Sequence, residues 1–318
     1  MPKIVVTDGY TLNPGDLSWD HLKELGEVQV YDRTAPELLL DRATGAEVLV
    51  VNKQLITAET MQLLPDLRLI AVSATGYNNV DTEAARQHDI QVANVVGYST
   101  PAVVQHVFAL LLSLINKVDD HHTSVQKGEW SSKPDFSYTL SPIPELTDLT
   151  LGIYGFGRIG QAVAQAALAF GMPVIAHHKY PQRDAMPGVR FVELETLFEQ
   201  ANVITLHAPL TKDNEEIVNQ QLLSRMPQPS YLINTGRGGL INEADVSTAL
   251  QSGMLTGAGL DVLSQEPPPV DHPLLQAPNC RITPHMAWST QAARQRLLDE
   301  VVLNIQAYLK GKDRNRIV

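Results

Sequence analysis

An apolar run, Leu151–Tyr154, leads directly into Gly155-Phe-Gly157-Arg158-Ile159-Gly160, and Gln161–Phe170 follows with its apolar residues at helical spacing. Strand, tight glycine turn and helix in that order leave few folds open. The first glycine makes the turn, the second lets the backbone approach a pyrophosphate, and the third lets the helix pack on the strand. The start of the helix offers unpaired N–H groups and the positive end of its dipole to an anion. Gly155, Gly157, Arg158, Ile159 and Gly160 therefore form a candidate dinucleotide cradle.

Further short apolar runs alternate with helical stretches on both sides of this segment, the pattern of parallel α/β architecture. The first set is Ile4–Val6, Val28–Val30, Val48–Val51, Leu69–Val72 and Ile90–Ala93. The second is Leu151–Tyr154, Val174–Ala176, Val203–Leu206, Tyr231–Asn234, Ala258–Leu260 and Arg281–Ile282. Between the sets lies a long helix opened by Ser99-Thr100-Pro101, with Thr100 as the expected cap. A Ser/Pro-rich loop, Ser131–Pro144, follows it. The last helix, about Thr290 to Leu309, comes after the second sheet is complete and is expected to pack back on the first domain. The fold class is thus α/β with two doubly wound parallel sheets. A Rossmann-type domain, residues 99–289, is inserted into a domain made of residues 1–98 and 290–318. The basic stretch Lys310–Arg316 reads as a solvated end.

The 318 residues favour two cores over one. A net charge of -11 argues against a nucleic-acid partner or an anionic membrane, and it means that an anionic substrate must be captured by locally placed cations. The longest apolar helix, Val103–Ile115, is interrupted by Gln105, His106 and Ser113 and is short for a bilayer. A single cysteine, Cys280, allows no internal disulfide. Met1–Val6 runs into a strand with no leader pattern, so a cytoplasmic setting is expected.

Several polar residues follow strands of the second set, on the side where open α/β sheets bind ligands. Arg237 stands in Asn234-Thr-Gly-Arg-Gly-Gly, where the glycines leave its planar fork room to grip a carboxylate. Seen alone it reads equally as a surface arginine. Asp261 follows Gly257-Ala-Gly-Leu, where a lone acid commonly caps a turn. Glu266 precedes three prolines, and His285 sits in Ile282-Thr-Pro-His-Met-Ala-Trp288. An imidazole supported by a carboxylate is a general acid near neutral pH. Arginine for an acid group, histidine for a proton and glutamate to tune it make a complete set for reducing a 2-keto acid, with a nicotinamide cofactor as hydride source.

These blocks resemble the D-isomer-specific 2-hydroxyacid dehydrogenases over nearly the whole chain. The matching segments are Ser73–Asp81, Asn94–Thr100, the glycine turn, His207–Thr211, Ile233–Gly239, Gly257–Asp261 with Glu266-Pro267, and Thr283–Trp288. Ala74-Thr-Gly-Tyr-Asn-Asn79 and Trp288 are most similar to the glycerate dehydrogenase/hydroxypyruvate reductase branch. The resemblance implies a flavodoxin-like fold for the substrate domain and Arg237, Glu266 and His285 as the catalytic group. It implies His207, Pro209, Thr235 and Asp261 as cofactor contacts, with Asp261 near the nicotinamide carboxamide. It also implies that N–H groups around Ala74, Thr75 and Gly76 hold the substrate carboxylate, near Asn52 and Lys53, and that the chain forms a homodimer through its long helix.

Two positions depart from the family. Gln105 stands where many relatives carry glutamate. The acid usual after the second Rossmann strand is replaced by His177-His178-Lys179, with Arg183 just beyond. Lys179 and Arg183 would meet the charge of a 2′-phosphate and His178 would donate to it, so the cofactor is NAD or NADP, with NADP tolerated or preferred. The expected activity is reduction of hydroxypyruvate or glyoxylate. A D-lactate-type dehydrogenase for another 2-keto acid, and a non-enzymatic redox-sensing regulator on the same fold, stay open. No metal site is expected: His121 and His122 are adjacent, so on a helix they face different ways. Cys280 reads as a small buried apolar group, and Tyr98 and Trp130 as core or pocket residues.

Overall fold

A computed structural model describes all residues, 1–318. The chain divides into two compact units, Met1–Ser99 with Trp288–Val318, and Thr100–Ala287.

The first unit holds a five-stranded sheet of β1 (Lys3–Val6), β2 (Glu27–Val30), β3 (Val48–Val51), β4 (Leu69–Val72) and β5 (Gln91–Ala93), ordered β2-β1-β3-β4-β5 with every pair parallel. This is the flavodoxin-like winding. The inner strands β3 and β4 are buried at all four positions, and so read as continuous apolar runs, whereas the edge strand β2 alternates between exposed and half-buried residues. Helix Gln291–Leu309 packs on this sheet against β4. Thr290 caps it by accepting from the Ala293 N–H, and Leu297, Leu298, Val301 and Ile305 bury its inner face.

Lys310–Arg314 are exposed, but the last residues of the chain pair with the sheet. Ile317 N–H donates to Val92 O at 2.7 Å, Val92 N–H donates to Val318 O at 3.2 Å, and Arg316 bridges Ala93 in antiparallel sense. The unpaired edge of β5 supplies these partners, and local charge carries no sign of them.

The second unit holds seven parallel strands: β6 (Leu151–Tyr154), β7 (Val174–His177), β8 (Val189–Phe191), β9 (Val203–Leu206), β10 (Tyr231–Asn234), β11 (Gly257–Leu260) and β12 (Cys280–Ile282). Their order is β12-β11-β10-β9-β6-β7-β8, the doubly wound dinucleotide-binding order with one strand added. The winding reverses between β6 and β9, which opens a crevice at the C-terminal strand ends. Strand β8 was not among the expected strands, because Val-Arg-Phe is a half-buried edge without an apolar run. Helix Thr100–Asn116 packs over β10 and β11. Thr100 is already its first helical residue rather than the cap before it, a one-residue shift at a helix end.

Asn304 tests how the long helix of the first unit holds its surroundings. It is buried, its Nδ2 donates to Asn94 O at 2.9 Å, and its Oδ1 accepts from Asn315 Nδ2 at 2.9 Å. Asn304→Leu should strand both partners and destabilise the protein by about 1–3 kcal/mol, measured by urea unfolding. An unchanged midpoint would show that neither bond contributes.

Candidate active site

The glycine turn is built as its residue types require. Gly155 has φ +92°, and a Cβ there would lie 2.5 Å from the Ala208 nitrogen. A Cβ on Gly160 would run into the Gly155 carbonyl, so the helix and strand approach only without it. At Gly157 a Cβ would meet nothing within 4 Å, so open space lies before the uncapped start of helix Arg158–Ala169. That opening and the free N–H groups of the first turn suit a pyrophosphate. Thr235, just past the end of β10 in the same sheet, has a buried hydroxyl with no partner in the protein, a further fit to a bound group. His207 packs its Nε2 2.9 Å from Thr205 Oγ1, and burial pushes its imidazole down to about 3, so the ring is neutral. Pro209 is exposed, and its carbonyl accepts from Asn214 Nδ2.

The residues after β7 are arranged otherwise than expected. Phe156 N–H donates to His178 Nδ1 at 3.1 Å, so the proton is on Nε2, which donates to Asp184 Oδ2 at 2.7 Å. Arg183 Nη2 reaches the same oxygen at 2.6 Å. The Arg183 guanidinium leads the contacts that hold the Asp184 carboxyl below the usual carboxylate range. His178 therefore has no spare donor for a 2′-phosphate, and Arg183 is partly committed. A turn in the chain, with Asp184 N–H bonded to Tyr180 O, brings the acid back over the ring. Lys179 is exposed and makes no ion pair.

The C-terminal ends of β10, β11 and β12 carry the other polar groups side by side. Arg237 follows β10; one N–H donates to Gly236 O at 2.7 Å, and no carboxylate pairs with its exposed guanidinium. After β12, the His285 Nδ1 lies 2.6 Å from Glu266 Oε2, and His285 Nε2 has no partner in the protein. The backbone of His285 is left-handed, φ +52°.

Asp261, just past β11, holds that turn. Its Oδ1 accepts from Thr283 Oγ1 at 2.6 Å and Met286 N–H at 2.9 Å, and its Oδ2 from Ala287 N–H at 2.8 Å. His106 Nε2 stands 3.3 Å from Oδ1 and 2.9 Å from Thr283 Oγ1. Burial alone would raise the Asp261 carboxyl, but the bonds from His106, Thr283, Ala287 and Met286 bring it below its ordinary value. With both oxygens turned to the chain's own donors, Asp261 is a support for the His285 turn rather than an open contact for a carboxamide. Nothing in sequence spacing pointed to His106 or Thr283 as its partners.

In the first unit, Asn52 and Lys53 follow β3, and Ala74, Thr75 and Gly76 follow β4. The Asp8 carboxylate accepts from the N–H groups of Asn52, Lys53 and Gln54, with Lys53 N at 2.6 Å. Asn52 is buried, and its Nδ2 donates to Ser73 O at 2.8 Å, so its side chain braces the loop instead of facing a ligand. Thr75 Oγ1 donates to Val95 O, and Asn94 Nδ2 to Thr75 O. None of the N–H groups of Ala74, Thr75 and Gly76 is paired with a backbone carbonyl.

No three His, Cys, Asp or Glu side chains converge as metal ligands. His121 is a brace between Lys117 O and Leu140 N–H. Cys280 is half-buried, and burial pushes its thiol up to about 12. Tyr98 is buried edge-on to Trp288, whereas Trp130 is half exposed and donates to Phe136 O. Gln105 is exposed, and nothing in the structure explains the departure there. No single helix is long and apolar enough to cross a membrane.

Residues 108–287 match the sequence family described as D-isomer specific 2-hydroxyacid dehydrogenase, NAD binding domain. A hydroxypyruvate reductase of Blautia hydrogenotrophica is 43% identical over 318 residues, 98% of this chain and 98% of that protein. A glycerate dehydrogenase of Methylorubrum extorquens is 41% identical over 292 residues, 91% of each chain. Among solved structures, an acyclic imino acid reductase in complex with NADPH and D-Arg superposes with a TM-score of 0.87 at 32% identity, covering 99% of this chain and 100% of that one.

Asp261→Asn should cost about 1–3 kcal/mol at neutral pH, because an amide N–H₂ would face donors that need an acceptor. The folded carboxyl titrates below its unfolded value, so its contribution is present above the ordinary carboxylate range. It is lost as pH falls through the lowered value, where both states are protonated. The gap between mutant and wild type should therefore narrow in acid, measured by chemical unfolding at neutral and acid pH. A gap that widens in acid would overturn this account.

Proposed function

The chain belongs to the D-isomer specific 2-hydroxyacid dehydrogenases, and from that premise we propose that it reduces small 2-keto acids to 2-hydroxy acids, foremost hydroxypyruvate to D-glycerate and glyoxylate to glycolate. The observation that carries this reading is the His285–Glu266 pair, with Nδ1 on the carboxylate at 2.6 Å and Nε2 open. Glu266 orients the ring and gives the protonated imidazole a countercharge. Nε2 then delivers a proton to the oxygen on which negative charge develops. The unpaired guanidinium of Arg237 takes the substrate carboxylate through its planar fork, a locally placed cation on a chain of net charge -11. Within the first unit, the N–H groups of Ala74, Thr75 and Gly76 are not taken by backbone carbonyls and suit a carboxylate, with Lys53 as a cation of the same unit. Gly155–Gly160 and Thr235 would hold the dinucleotide, whose reduced nicotinamide supplies the hydride when bound. The same reading keeps a homodimer, supported by the exposed apolar side chains of Val118, Trp130, Phe136 and Leu140 after the long helix.

A panel of 2-keto acids followed at the nicotinamide absorbance tests the activity. Hydroxypyruvate and glyoxylate should be turned over, and His285→Ala should lose about 10²–10⁴-fold in kcat with dinucleotide affinity retained. Dinucleotide binding with no turnover of any keto acid would favour a redox-sensing regulator instead.

For cofactor choice, we infer that NADPH is accepted at least as well as NADH. No uncompensated carboxylate follows β7: both oxygens of Asp184 are engaged by Arg183 and one also by His178, while the ammonium of Lys179 has no acid partner and stands 5.5 Å from the Tyr180 ring centre. A carboxylate in the place of His178 would repel a 2′-phosphate and accept from ribose hydroxyls. His178→Asp should move the kcat/KM ratio toward NADH by on the order of tenfold or more. A wild type that prefers NADH by that margin, with no change in the mutant, would sink the idea.

A further inference from the structure

Glu266 stands on an irregular excursion between β11 and β12, and an exposed loop does not by itself hold a carboxylate 2.6 Å from an imidazole. One side chain outside the described pair ties both ends of that excursion. Glu243, the first residue of helix Glu243–Gln251, turns its carboxylate to the loop. Its Oε1 accepts from Ser264 N–H at 2.8 Å, and its Oε2 from Ser264 Oγ–H at 2.6 Å and His272 Nε2 at 3.1 Å. His272 is buried, and its Nδ1 accepts from Leu274 N–H at 3.3 Å, which leaves the proton on the nitrogen that faces Glu243. Residues 264 and 272 bracket Glu266 and its three prolines. At the near end, Leu263 N–H donates to Glu266 Oε1 at 3.1 Å. A Cβ on Gly238 would collide with the Leu263 carbonyl and the Ser264 nitrogen, so the loop carrying Arg237 lies backbone to backbone on the clamped segment.

We propose that Glu243 and His272 are positioning residues for the reaction: they fix the 264–272 loop so that Glu266 meets His285. An acid in the first turn of a helix is also a favourable partner for the helix dipole. That role needs no bond to Ser264 or His272, and accounts for none of the three. The proposal rests on the role assigned above to the Glu266–His285 pair. If the clamp loosens, the protonated imidazole spends part of its time without its countercharge. Reduction, which needs the protonated ring, then fails at a lower pH than in the wild type.

The experiment compares Glu243→Gln, His272→Leu and His272→Gln with wild type and Glu266→Gln, all full-length. It measures kcat/KM for hydroxypyruvate reduction against pH, together with dinucleotide affinity and thermal midpoint. Glu243→Gln keeps the shape and one acceptor but turns an amide N–H₂ toward donors. Glu243→Gln and His272→Leu should lower kcat/KM about three- to tenfold, and should move the alkaline limit down by roughly half to one pH unit. Dinucleotide affinity should be unchanged. His272→Gln, which keeps a donor at that place, should restore most of the wild-type profile. If Glu243→Gln does not fold, Ser264→Ala removes one bond of the clamp and should shift the limit in the same direction by less. A wild-type alkaline limit in the clamp variants, whatever their thermal midpoints, while Glu266→Gln shifts it, would overturn the clamp alone. A wild-type limit in Glu266→Gln as well would overturn the pair and the clamp with it.

Discussion

A buried carboxylate at the end of a strand of a parallel sheet is costly unless donors surround it, and Asp261 is so surrounded. Its two oxygens bind a hydroxyl and two successive backbone N–H groups, and its position on the sheet is fixed by its own N–H on Asn234 O. The bonds to Met286 and Ala287 leave the chain little choice of path after Pro284, and His285 N–H adds a bond to Asp261 O at 2.8 Å. The direction of the imidazole follows from that path. Through Thr283 and His106 the same carboxylate reaches the helix Thr100–Asn116, so the turn is tied to the layer that covers β10 and β11. Remove the acid and the Thr283 hydroxyl and the Met286 and Ala287 N–H groups lose their acceptor.

Around this centre the second unit uses several carboxylates to hold geometry and leaves Arg237 and Lys179 without an acid. Glu266 orients a ring, Glu243 braces a loop and Asp184 takes up His178 and Arg183, whereas Arg237 pairs with no acid. On a chain of net charge -11, cations without an acid partner are where the proposed reading places an anion. The first unit repeats the device with Asp8, whose carboxylate gathers three consecutive N–H groups of the 52–54 loop.

The inner strands were legible because parallel strands buried on both faces read as near-continuous apolar runs, as in Val48–Val51 and Leu69–Val72. The edge strand Val189–Phe191 was not, since one of its faces is wet and its middle residue is arginine. The glycine turn was readable down to the separate task of each glycine, because backbone geometry constrains them locally. Pairing at the site was legible only where a chemical need joined two residues: an imidazole acid asks for a carboxylate, and Glu266 was the one at hand. Thr283, Met286 and Ala287 lie 22 to 26 residues from Asp261, and His106 bonds to Thr283 from 177 positions away, separations at which pattern and period say nothing. His178 was misjudged for a related reason. A free imidazole and one committed at both nitrogens look alike until the turn that returns Asp184 is known.

The left-handed backbone at His285 has a cost that its neighbours hide. A residue with a Cβ in that conformation gives up roughly 1–2 kcal/mol relative to the right-handed helix region, a penalty that glycine escapes. The fold would thus be more comfortable with no side chain at the one position where the proposed reaction needs an imidazole. Selection for thermal tolerance alone would press toward emptying the site, and the histidine persists there only as long as turnover is selected with it.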